Sequence, residues 1–200
     1  MRIGKWIMSG LAGAVLTASL GTAAQAGELT DKSMAEAAPP FSGPANVAYA
    51  KEIWTALERA NLVGKDSLVS HPYFGNPPHG GVLEFFQQDM TIDGVTGPML
   101  VKKNYKGEYG EDETLAAVLN DRLGNIEAVT IMFQREDGYD PEHHNWFWAK
   151  YLPDGTLDKN PKGMALAGRV AKGADVGWIA CHTGAPGEDF VFIHDVFAKK

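Results

Sequence analysis

The sequence holds a single cysteine, Cys181, so no disulfide can form within the chain. It is short of positive charge: 18 Lys and Arg stand against 25 Asp and Glu, for a net charge of −7. A surface of that sign repels phosphate backbones, and nucleic acid is not expected as a partner. Glycine-rich phosphate loops, a nucleophile elbow and paired carboxylates at catalytic spacing are all missing, which leaves nucleotide and hydrolase chemistry without their usual residues. Internal repeats and low-complexity tracts are absent. After Gly21 no apolar run approaches the roughly 20 residues a bilayer span requires, so no membrane span is expected.

The N-terminus carries a different signal. Arg2 and Lys5 precede an uncharged stretch, Trp6 to Gly21, built largely from Ala, Gly, Leu, Val and Ile, and Ala24-Gln25-Ala26 follows with the small-x-small pattern that a signal peptidase cuts. The stretch is too short and too diluted by Gly, Ser and Thr for an uncleaved anchor. Residues 1–26 therefore read as a signal peptide cleaved after Ala26, and the mature chain as exported and periplasmic. Removing the leader takes away two positive charges and no acidic residue, moving the net charge from −7 to −9. The 174 residues left of the 200 suit one domain. An unpaired thiol in an oxidising compartment is open to damage, so Cys181 is either occupied or buried and inert.

Residues 27–43 are rich in Ala, Glu, Asp, Pro and Ser and read as a flexible lead-in to a domain over residues 44–200. Ser42, Gly43 and Pro44 open an amphipathic helix with Val47, Ala50, Trp54, Leu57 and Asn61 at three- and four-residue steps, ending at Gly64. Strand-like runs follow at Val82–Gln87, Met99–Tyr105, Ala128–Arg135 and Asn145–Leu152, separated by turn residues such as Asp93-Gly94 and Pro153-Asp154-Gly155. A helix is expected over Asp112–Leu123, capped by Asp112, burying Leu115, Val118, Leu119 and Leu123, with Gly124 past its end. Strands that do not alternate regularly with helices predict an α+β domain: an antiparallel sheet of about five strands packed with two to three helices.

The residues with recognisable chemistry lie near the C-terminus, at Trp178-Ile179-Ala180-Cys181-His182. A c-type haem site is written C-x-x-C-H: two thiols add to the haem vinyls and the histidine binds the iron. Here the second Cys and the His are present, and Trp178 stands at the first Cys position. At most one thioether can form.

Further blocks accompany this pair in order: Pro78-His79-Gly80, Gly97–Tyr105, Val129–Arg135, Gly138-Tyr139-Asp140-Pro141, Asn145–Tyr151 with Pro153-Asp154-Gly155, and Asp189-Phe190-Val191-Phe192. In these blocks the chain resembles the cytochrome P-460 family from about Pro78 to Phe192. The resemblance implies a small periplasmic α+β protein, commonly a homodimer, with one covalently bound haem c. Its iron would carry a proximal histidine and an open distal side that meets small nitrogen compounds. Two activities are implied: oxidation of hydroxylamine, with electrons passing to a periplasmic electron-transfer protein, and reversible binding of nitric oxide.

On the same resemblance Cys181 carries the haem thioether and His182 is the proximal iron ligand. Lys102 matches the lysine that is bonded to the haem edge in hydroxylamine-oxidising members. Strand alternation lets only one of Lys102 and Lys103 face a pocket, and the alternative is that both are solvated. Phe85, Phe86, Met132, Phe133 and Phe147 are candidates for a distal wall or for plain core. Glu84 and Glu127 are candidate proton acceptors beside bound substrate, or solvated carboxylates. The tryptophan at position 178 leaves three forms open: a singly linked haem, a non-covalent haem on His182, or a haem-free relative serving as a binding or structural module. His143 and His144, beside Asp140 and Glu142, are read as solvated rather than metal-binding, and His79 as a structural hydrogen-bonding group in its turn.

Overall fold

A computed structural model describes residues 40–170, 172–173, 177–185 and 189–192. The stretch read as a signal peptide, most of the expected lead-in and His194 lie outside the described residues. The domain is a single six-stranded antiparallel sheet with a few helices, an α+β fold, and its strands are ordered as they occur in the chain. They are β1 (Tyr73–Phe74), β2 (Val82–Ile92), β3 (Val95–Tyr105), β4 (Ile126–Gln134), β5 (Trp146–Tyr151) and β6 (Ala167–Gly168). Each pairs with the next, as expected of strands joined by short turns and local loops. Among the described residues no helix is long and apolar enough to cross a membrane.

Helix α1 (Pro44–Arg59) begins with proline in its first turn, where the missing N–H costs nothing, and buries Tyr49, Ala50, Ile53, Trp54 and Leu57. These side chains cover one sheet face, packing with Met99, Val101, Val129, Ile131, Phe133 and Phe147. Full burial of each large apolar side chain contributes about 1.5–3 kcal/mol, so this layer is a principal source of stability. The helix stops a turn before Gly64 because Asn61 adopts a left-handed φ of 54°, and Asn61 is exposed rather than part of the buried stripe. Residues 40–43 are not a free lead-in. Phe41 bridges to Gly168, Ser42 N–H donates to Ala167 O at 2.8 Å, and Ser42 Oγ accepts from Ala165 N at 2.8 Å.

The expected helix over Asp112–Leu123 is two pieces, α2 (Asp112–Asn120) and α3 (Arg122–Asn125). Asp121 breaks the run, and its carboxylate accepts the Gly124 N–H at 2.8 Å, placing Gly124 inside the second piece. Val118 is fully buried, whereas Leu119 and Leu123 are 51% and 57% exposed, so the predicted apolar face is half right.

The hairpin of β2 and β3 outruns its predicted length. Gln87, Gln88 and Asp89 are exposed but stay paired, and the register continues to Ile92 opposite Val95. Register also sorts the side chains. Phe85, Lys102 and Thr130 share one face, while Glu84, Lys103 and Val129 share the face covered by α1.

Candidate functional site

The sheet face away from α1 carries a cavity of about 420 Å³. That volume falls within the ~300–1,000 Å³ range of small-molecule and cofactor sites. Its floor includes Phe85, Leu100, Lys102, Met132 and Trp148 from the strands, and its walls are the loop before β2, with His79, and helix α4 (Trp178–His182).

Helix α4 was not anticipated as a helix, and it brings the chemistry together. Trp178, Cys181 and His182 all reach the cavity from this short segment, as the three- and four-residue spacing of a helix requires. Cys181 is a free, exposed thiol, not a buried inert one. His182 is 8% exposed, and its ring meets those of Trp148 and Phe192 edge to face at 4.9 and 5.2 Å between centroids. His182 Nδ1 lies 2.7 Å from Phe190 O. A carbonyl only accepts, so Nδ1 carries the proton and Nε2 keeps its lone pair, the arrangement a metal-ligating histidine uses. Burial holds the His182 imidazole below its usual pKa of 6.5, with the Phe190 carbonyl opposing and the Lys102 charge adding to the shift. The ring is therefore neutral near pH 7.

Phe190 adopts a φ of 66°, a region bulky residues seldom occupy. Val191 N–H donates to Asp189 Oδ1 at 3.0 Å, Trp146 Nε1–H donates to Asp189 O at 3.0 Å, and the Phe190 ring lies 5.7 Å from that of His143 and 5.4 Å from that of His144. These contacts hold a strained residue whose carbonyl orients His182.

His143 and His144 thus support the site from behind. His143 is not solvated: its Nδ1 is 2.9 Å from the buried Asp140 carboxylate, which also binds Lys172. Asp140, Glu142 and His143 converge as a metal cluster would, but the Lys172 ammonium pairs with both carboxylates, at 3.0 Å from Glu142, and supplies the positive charge.

Lys102 reaches the cavity and Lys103 does not. Burial lowers the Lys102 ammonium from the usual 10.5 to about 8, and its Nζ has no hydrogen-bond or ion-pair partner among the described residues. Lys103 is buried on the opposite face, donating to Ser67 Oγ at 2.8 Å and Leu68 O at 2.6 Å, with its ammonium over the Phe86 ring. Neither lysine is solvated.

Glu84 and Glu127 are not at the cavity. Glu84 is fully buried under the α1 side, where it accepts from Tyr105 Oη at 2.7 Å, Arg122 Nε at 2.9 Å and Ser70 N at 3.2 Å. It lies in register with Lys103, so the pleat turns it from the side Lys102 faces. Glu127 is exposed at the start of β4. Of the five proposed wall residues, Phe85 and Met132 line the cavity, while Phe86, Phe133 and Phe147 pack in the core on the other face.

His79, expected to play a structural role in its turn, lines the cavity, and burial, with Lys102 and His182 nearby, lowers its pKa from 6.5 to about 4. Gly80 explains the placement. A Cβ there would sit 2.3 Å from Tyr105 O, so only glycine lets this loop press onto the end of β3. The signal in the sequence was a lone histidine between Pro77-Pro78 and Gly80-Gly81, in a turn with few other side chains able to do chemistry.

No known family, curated protein or solved structure matches this chain.

The cavity's residues fit a haem. They provide a buried neutral histidine with a free Nε2, an adjacent free thiol, a largely apolar and aromatic lining, and an amine without a partner among the described residues.

Proposed function

We propose that this protein is a periplasmic haem protein of the cytochrome P-460 type, acting on small nitrogen compounds by oxidising hydroxylamine or binding nitric oxide. The observation that carries the reading is the joint placement of His182, Cys181 and Lys102 at one cavity, with His182 Nδ1 committed to Phe190 O. His182 would hold the iron through Nε2, and Cys181 would add its thiol to a vinyl group as a single thioether. A haem bound here supplies an iron that takes up small ligands and accepts or passes on electrons.

The chain's own residues do the rest. The Trp148 and Phe192 rings pack edge to face on His182 and leave it little exposed, which strengthens electrostatic interactions at that ring. Lys102, with its pKa near 8, offers Nζ partly as the free amine close to neutral pH. In that form it can take a proton from a bound substrate.

Hydroxylamine turnover with an artificial electron acceptor, alongside nitric oxide difference spectra, separates the two activities. Turnover that falls at least tenfold in Lys102→Met supports the oxidase. Nitric oxide binding without turnover supports the gas-binding form, and neither response to any nitrogen compound refutes the functional class.

A second reading, a haem-free binding module, draws on Trp178, whose ring stands 6.2 Å from that of Trp148 at the cavity. A colourless protein that takes up no added haem would favour it.

A further inference from the structure

Two polar side chains of the cavity are donors that lack acceptors. Lys102 and Thr130 are direct partners across β3 and β4 and both line the cavity, with Cβ atoms about 5 Å apart in such a pair. Asn104 Nδ2 donates to Thr130 Oγ1 at 3.2 Å, so that oxygen accepts on one side and its own proton is left to donate elsewhere. Among the described residues neither that proton nor the Lys102 ammonium meets an acceptor.

The neighbouring lysines show what Lys102 is missing. One strand beyond Thr130 the register reaches Lys150, whose ammonium pairs with Asp158 at 2.8 Å. Lys103, on the opposite face, is held by Ser67 Oγ and Leu68 O. Lys102 has no such partner, and the described residues that line the cavity include no Asp or Glu, although the chain carries 25 of them. Water in the cavity satisfies the hydrogen bonds of both donors but leaves the charge uncompensated in a largely apolar surround, which is costly. An anion satisfies the bonds and the charge together, through charge-assisted hydrogen bonds.

We propose that Lys102 and Thr130 form the binding site for a planar monoanion with two oxygens, a carboxylate or nitrite, one oxygen accepting from Lys102 Nζ and the other from Thr130 Oγ1. A group of that shape suits two donors side by side, whereas a dianion would bring a second charge that nothing in this lining neutralises. The site stands on the cavity's own residues and does not depend on an iron. In the haem reading the anion has two sources, a propionate of the haem itself or a separate small anion beside it, and the recognition chemistry is the same for both.

The test is a calorimetric titration of the mature full chain, haem-free and haem-loaded, with sodium formate and with sodium nitrite at constant ionic strength. Beside it, the haem-free chain is given haem and haem dimethyl ester, in which both carboxylates are blocked. If the ligand is a free small anion, both forms of the chain are expected to bind it saturably at one site. If it is a propionate, only the haem-free chain is expected to do so, and the dimethyl ester to bind at least tenfold more weakly than haem, a difference that Lys102→Met removes. Anion binding is expected to weaken at least tenfold in Lys102→Met, to weaken in Thr130→Val, and to hold in Lys150→Met and in Lys102→Arg, which keeps the cation. Binding that both Lys102→Met and Thr130→Val leave unchanged overturns the proposal. So does a chain that binds neither anion saturably and takes up haem and its ester equally, which leaves the haem reading standing. Anion binding by a chain that takes up no haem supports this site and overturns the haem reading, and a chain that binds neither overturns both.

Discussion

Lys102 and Lys103 are neighbours in sequence on opposite faces of one strand, Lys102 half-buried and Lys103 buried, to opposite effect. Lys103 is tied to Ser67 Oγ and Leu68 O, in register with the Glu84 carboxylate. Lys102 projects into a largely apolar cavity with no partner for its charge among the described residues, and its pKa falls to about 8. A paired buried cation is structural; an unpaired one is retained at a cost to stability and marks a site of chemistry.

That cost is measurable in the haem-free chain. Between the folded value of about 8 and the unfolded value of 10.5, the unfolded chain holds the Lys102 proton and the folded chain does not, so this residue makes stability rise with pH across that window. Below pH 8 the penalty is constant at about 3 kcal/mol. Lys102→Met is expected to stabilise the haem-free protein at pH 7 by up to that amount and to remove the residue's share of the rise. Urea unfolding at pH 7 and pH 10 checks both, and a variant no more stable than wild type at pH 7 contradicts the burial of an unpaired amine.

Acid acts in the opposite sense through the histidines. His79 titrates at about 4 when folded and 6.5 when unfolded, so the unfolded chain gains its proton first and stability is lost as pH falls from 6.5 to 4. His182 shifts in the same direction. The His79 contribution amounts to roughly 3 kcal/mol. In haem-free protein, His79→Gln is expected to show a shallower loss of melting temperature between pH 7 and pH 4.5 than wild type.

The fold's outline was legible because burial imposes periodicity. The apolar steps of α1 and the centres of β2 to β5 stand out, and the α+β antiparallel class followed from their order. Legibility failed where tertiary context decided. β1 and β6, two residues each, have no pattern to read, and the polar end of β2 stays paired only because β3 runs beside it. Asp121 looks like any polar helix residue until its side chain closes on Gly124. Cys181 and His182 stand out as part of a C-x-x-C-H pattern, whereas Lys102 is pointed to only by the resemblance, since alternation says no more than that one of Lys102 and Lys103 can face a pocket. The place of His79 at the cavity was passed over because it depends on a loop folding against the end of β3, and Glu84 was misplaced because its face could not be known before the register was.

Glu84 now has a separate expectation. Removing its carboxylate leaves the Tyr105 hydroxyl, the Ser70 N–H and Arg122 without their acceptor beneath the sheet. Glu84→Ala is expected to lower stability by about 3 kcal/mol while leaving the haem spectrum and ligand binding unchanged. Calorimetry paired with a visible spectrum tests this, and an altered spectrum in the folded variant would return Glu84 to the site.

Trp178 occupies the position of the missing thiol on the same helix as Cys181, three residues before it, and both line the cavity. Trp178→Cys is therefore expected to give a second thioether without changing the mass of added haem, since addition across a vinyl group loses no atoms. The pyridine haemochrome band should move to shorter wavelength as the second vinyl is saturated. An unmoved band would mean that residue 178 does not approach a vinyl group.

We propose above all that haem is held at this cavity by His182 and bonded through Cys181. The most direct test is intact mass with the visible spectrum of the mature chain made in a periplasm equipped for haem attachment. The expected result is a Soret band and a mass increase of one haem that disappears in Cys181→Ala. An unmodified mass with no Soret band, even after haem is added to the purified protein, would contradict it.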